Sequence, residues 1–172
     1  ANIGSLYLHA INWAIAVFGR TPFGLRFVPA LAGSLAVPAA YLLARQLFGR
    51  RIAVYAALLL AVSHAHLHFS RISSVPYILG TFLIPLEIFL FIRALQRRSS
   101  FSAALGGVVL AIHFSVYLTA QIVAALLVVF VVILILARQP LIRRGWRQAV
   151  VFAVSAVIVA LPQLAYNFDN PD

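Results

Sequence analysis

Three of the chain's five histidines and one arginine lie together in His64-Ala65-His66-Leu67-His68-Phe69-Ser70-Arg71. On a helix His64 and His68 share one face, being one turn apart, and His66 points elsewhere. Two neutral imidazoles at this spacing can begin a metal site. A metal wants a third ligand, however, and no carboxylate stands nearby, so no metal is assigned. The same pair can instead close a helix end and bond to water or lipid headgroups. Arg71 carries a planar fork of donors that suits bidentate phosphate binding, although an arginine near a membrane surface can equally snorkel to the headgroups as an anchor. Its place on the outer side, where few arginines belong, leans toward an anionic ligand. Deeper in the sequence, Glu87 is the one carboxylate inside a long apolar run. An ionised group there must be protonated, paired or turned toward a polar cavity, and His113 is the partner expected at a matching depth. No Gly-rich phosphate loop, nucleophile triad or close pair of carboxylates is present.

The island from Ser63 to Tyr77 joins two apolar runs, each long enough to cross a hydrocarbon layer of ~30 Å. A lipid-exposed polar turn cannot sit within that layer, because its backbone groups would go unsatisfied. The island therefore belongs at a membrane–water boundary. Hydrophobic residues make up 64% of the chain and charged residues 9%, which excludes an ordinary soluble domain. The net charge of +10 comes from arginines in short clusters between apolar runs. That is the pattern of juxtamembrane anchors rather than of a nucleic-acid stripe, and no nucleic-acid partner is expected. The absence of cysteine removes disulfides and thiolate metal sites. The start at Ala1 and the end at Asp172 suggest a piece of a longer membrane protein.

The resulting expectation is an all-α, polytopic membrane helix bundle forming one domain over residues 1–172. An interfacial helix is predicted over 4–19, with spans near 27–44, 52–69, 76–92, 101–116, 120–137 and 148–166. Thr21 and Pro22 read as N-cap and first turn of the first long helix. The 39 uncharged residues between Arg98 and Arg138 would extend ~58 Å as one helix, about twice the bilayer core. A break near Tyr117 is needed, with a basic loop after Arg138. Six crossings put ten arginines on one side and Arg20, Arg26 and Arg71 on the other, which makes the arginine-rich loops cytoplasmic.

Several stretches resemble the N-terminal half of glycosyltransferase family 39, which includes dolichyl-phosphate-mannose–protein mannosyltransferases and bacterial aminoarabinose transferases. They are Gly4-Ser5-Leu6-Tyr7 leading to Phe18-Gly19, then Gly24-Leu25-Arg26-Phe27-Val28-Pro29-Ala30-Leu31-Ala32-Gly33, then Tyr41 to Arg51. His66-Leu67-His68-Phe69-Ser70-Arg71 and the stretch from Tyr117 to Gln121 are similar to bacterial members of that family. The resemblance implies a GT-C fold and transfer of a sugar from a polyprenyl-phosphate donor to a lipid, glycan or protein acceptor. Transfer would occur at the extracytoplasmic face of the cell (plasma or inner) membrane. It also implies an acidic catalytic residue in an external loop upstream of Ala1, so no catalytic residue is named within this chain. Relatives often carry an aspartate two residues before a proline in the outer turn; here the sequence is Ser74-Val75-Pro76.

With that resemblance, Arg71, His64, His68, Ser74, Tyr77, Tyr117 and Gln121 are the candidate substrate-binding residues. Arg71 would hold the phosphate, and the others would line the sugar and acceptor cleft. Besides donor and acceptor, membrane lipids are the expected partners. No cofactor is required by these residues, and a divalent metal is left open. The alternatives are a polytopic transporter or flippase, whose hallmarks would be intramembrane charges and repeated halves, and a non-catalytic relative of the enzyme.

Overall fold

A computed structural model describes residues 5–72, 76–116 and 119–169. Among them there are eight helices and no strand: α1 (Ser5–Phe18), α2 (Pro22–Phe48), α3 (Arg50–Val62), α4 (His64–Phe69), α5 (Tyr77–Arg97), α6 (Ser100–Phe114), α7 (Thr119–Leu136) and α8 (Pro140–Asp169). The chain is an all-α membrane helix bundle. Three helices are long and apolar enough to cross a bilayer by themselves: Pro22–Phe48, Tyr77–Arg97 and the Pro140–Pro162 part of α8. Shorter apolar helices cover Leu6–Phe18, Ser100–Phe114 and Ala120–Leu136.

The chain divides into two compact units, Ala1–Leu86 and Glu87–Asp172. In the first, α1 turns into α2 through Gly19, whose φ of 77° suits a residue without Cβ. Thr21 then caps α2, its Oγ1 accepting from the Gly24 backbone N–H at 3.1 Å, with Pro22 directly behind it. The rings of Phe18, Phe23 and Phe27 close around this corner, with Phe18 centred 4.7 Å from Phe27 and 5.1 Å from Phe23. Pro29 and Pro38 lie within α2, yet the helix runs unbroken to Phe48.

The helix after Gly49 differs from the single span expected over 52–69. It ends at Val62, and Ser63 adopts an extended ψ of 124° before the short α4 begins. Serine competes with the helix for its own backbone groups, which favours boundaries over interiors. Beyond the break, α4 packs against both α3 and α2.

In the second unit α6 packs most extensively against α8. Gly106 and Gly107 make this approach possible, since a Cβ on Gly107 would collide with Ser155 Oγ and with the carbonyl of Phe152. Phe152 in turn meets Phe91 edge to face, with centroids 4.9 Å apart. The segment expected as a basic loop is instead the first turns of α8: the helix starts at Pro140, so Arg143, Arg144 and Arg147 lie on it. Proline is preorganised for a first helical position, which explains the early start.

Gly107→Val should lower the stability of the bundle by ~1–3 kcal/mol, the usual cost of forcing volume into a packed contact. The unfolding midpoint in detergent checks this. An unchanged midpoint would mean that α6 and α8 do not meet there.

Candidate functional site

The polar island builds its own support from two small residues. His66 is buried, and its Nε2 lies 3.1 Å from the carbonyl of Gly33 in α2. A carbonyl can only accept, so Nε2 carries the proton of that bond. Nδ1 is then an acceptor, and it has no partner among the described residues. Ser70 Oγ donates to the His66 carbonyl at 2.6 Å, tying down the last turn of α4. Gly33 is needed here, because a Cβ at that position would strike the Ser70 side chain. His66 thus braces α4 on α2. Sequence spacing turned it away from its neighbours but gave no sign of this role. The one available signal was the run of small residues around Gly33.

With α4 held this way, His64 and His68 are both exposed, their rings 6.1 Å apart and inclined by 22°. His68 meets Phe69 edge to face at 5.5 Å, and Phe69 meets Tyr77 in the same manner at 5.7 Å. Four rings therefore follow one another along an open rim, with imidazole and phenol edges as hydrogen-bonding groups and ring faces as apolar surface. Arg71 follows immediately. Its backbone N–H donates to the His68 carbonyl at 3.1 Å, and its side chain is exposed with no ion pair among the described residues. Such a rim can grip a ring-shaped polar molecule while the neighbouring guanidinium binds an anion. Among the described residues, no three of histidine, cysteine, aspartate and glutamate gather in a group able to hold a metal ion.

Four of the candidate substrate-binding residues, His64, His68, Arg71 and Tyr77, thus belong to one continuous stretch of the first unit. Gln121 lies in the second unit, exposed in the first turn of α7. It stands at one end of an apolar cleft of about 620 Å³ that lies largely between α7 and α8. Ser74 and Tyr117 fall outside the described residues.

The second unit also holds the buried carboxylate. Glu87 Oε1 lies 3.2 Å from His113 Nδ1, and both side chains are 0% exposed. The pairing expected from depth alone is present. It ties the middle of α5 to the end of α6, away from any open surface, so its role is structural.

The family described as dolichyl-phosphate-mannose-protein mannosyltransferase matches residues 5–166. The chain belongs to this family. As a member of this mannosyltransferase family it is a membrane protein of the glycosyltransferase class. No curated protein and no solved structure matches it. The match runs through α1 and the Gly33 region, the island with its rim, and both helices of the Glu87–His113 pair.

His113→Ala should destabilise the bundle by ~3–5 kcal/mol, because it leaves a buried carboxylate without its partner. Replacing both residues with leucine should recover most of that loss. A double-mutant cycle in detergent measures the coupling, and strictly additive effects would contradict the pairing.

Proposed function

We propose that the protein moves a sugar from a polyprenyl-phosphate donor to an acceptor at the extracytoplasmic face of the cell membrane. The observation that carries this reading is the family match over residues 5–166; the exposed guanidinium beside the ring-lined rim supports it. A lipid-linked donor keeps its phosphate at headgroup level and its tail in the bilayer. An enzyme that handles it needs a fixed cation at that level and polar edges around the sugar.

In the transfer, an acceptor nucleophile attacks the anomeric carbon as the bond from that carbon to the phosphate oxygen breaks. The electron pair leaves with the polyprenyl phosphate. A guanidinium already aimed at the phosphate stabilises the charge that develops there without reorganising at the moment of reaction. We assign that role to Arg71, with His64, His68, Ser74 and Tyr77 orienting the sugar. The acceptor's proton passes to a general base, and none of the residues named here is assigned that role. In this reading the chain crosses the membrane six times, and the arginine excess puts Arg138 to Arg147 on the cytoplasmic face.

Arg71→Ala in the full-length protein should lower transfer from a polyprenyl-phosphate sugar by ~10²–10³-fold, the usual loss for one charge-stabilising donor, while membrane expression stays near wild type. Equal losses of activity and expression would reduce Arg71 to an anchor.

A further inference from the structure

The arginines of the second unit have no ion-pair partner among the described residues. Arg93 and Arg97 at the end of α5, Arg98 just after it, Arg138 in the turn after α7, and Arg143, Arg144 and Arg147 at the start of α8 are all exposed. No described side chain offers any of them a carboxylate, and Glu87 is buried on His113. The two basic helix ends are also adjacent. A Cβ on Gly145 would stand 3.2 Å from the Leu95 Cα, and Gln148 Nε2 donates to the Arg98 carbonyl at 3.2 Å. The result is a concentrated positive surface at one end of the unit.

The apolar cleft leads away from that end. Its α8 side runs from Ala149 to Ala160 and its α7 side from Gln121 to Val132, each ~16 Å along the helix axis. That length is about half a hydrocarbon core of ~30 Å, the depth of one leaflet. The volume of about 620 Å³ lies within the ~300–1,000 Å³ of ordinary ligand sites. Trp146, three residues before Ala149, continues the cleft face of α8 toward the arginines. The Arg147 guanidinium lies 5.8 Å from the centre of its ring.

We infer that the α7–α8 cleft holds one acyl chain of an anionic phospholipid, with its headgroup on Arg138, Arg143 and Arg147 beside Trp146. The charge decides the occupant. Guanidinium groups take phosphate oxygens bidentately, tryptophan favours the headgroup level, and basic pockets beside membrane helices select anionic lipids. A chain entering from the opposite end would find Gln121 as the polar group lining the cleft. The inference does not depend on the sugar-transfer reading.

Native mass spectrometry of the full-length protein, given equal phosphatidylglycerol and phosphatidylcholine, tests it. The protein should retain one phosphatidylglycerol in preference to phosphatidylcholine. Arg147→Gln should weaken that retention about fivefold, and Arg138→Gln with Arg143→Gln should each add a similar factor. Ala153→Leu, which fills the cleft and leaves the charges in place, should release the lipid as well. Equal retention of the two lipids would overturn the inference, as would undiminished phosphatidylglycerol in the arginine variants. One-for-one displacement by polyprenyl phosphate would overturn it too, by giving the cleft to the donor.

Discussion

Inside a hydrocarbon layer a peptide group has no water to turn to, so every N–H and C=O must find its partner within the protein. This constraint organises the chain. It makes every described element a helix and pushes the non-helical backbone into short junctions. Several of the described junctions have a visible solution. Thr21 caps α2 with its side chain, Ser99 does the same for α6, and Gly49 donates its N–H to the Arg45 carbonyl. Arg98 and Arg138 take a φ of 50°, which turns the chain sharply after α5 and α7.

The same constraint governs the side chains. Buried polar atoms are costly unless paired, and each of the two buried histidines sets one ring nitrogen against an acceptor. His113 faces Glu87, a charge partner on a neighbouring helix. His66 uses a backbone carbonyl, which the glycine at position 33 leaves accessible. The first pair ties α5 to α6 within the second unit. The second holds α4 against α2, and α4 carries His64, His68 and Phe69 of the ring series that ends at Tyr77. In both cases the polar contact fixes position, and apolar packing supplies the rest.

Much of this was legible in the sequence because depth in a membrane helix is linear in residue number. That rule brought Glu87 and His113 together, and residue type alone announced the Thr21–Pro22 start of α2. The rest was hidden for identifiable reasons. The helical break at Ser63 goes with the packing of α4, and a serine at the head of a polar island does not reveal that. Arg143, Arg144, Gly145 and Arg147 resemble a loop by composition, yet they lie on α8, with Gly145 against Leu95. Nothing in the sequence singles out Gly107, although its missing Cβ is what lets α6 reach α8. The rim was visible as histidines at helical spacing, whereas the participation of Phe69 between His68 and Tyr77 was not.

The proposed chemistry depends on the island and the α8 arginines facing opposite sides of the membrane. The chain contributes no native cysteine, so Ser74→Cys and Arg144→Cys can each be introduced into the full-length protein and treated with a membrane-impermeant maleimide on intact cells. The account predicts labelling at position 74 from outside, and at position 144 only after the membrane is opened. Labelling of both positions under the same condition would contradict it.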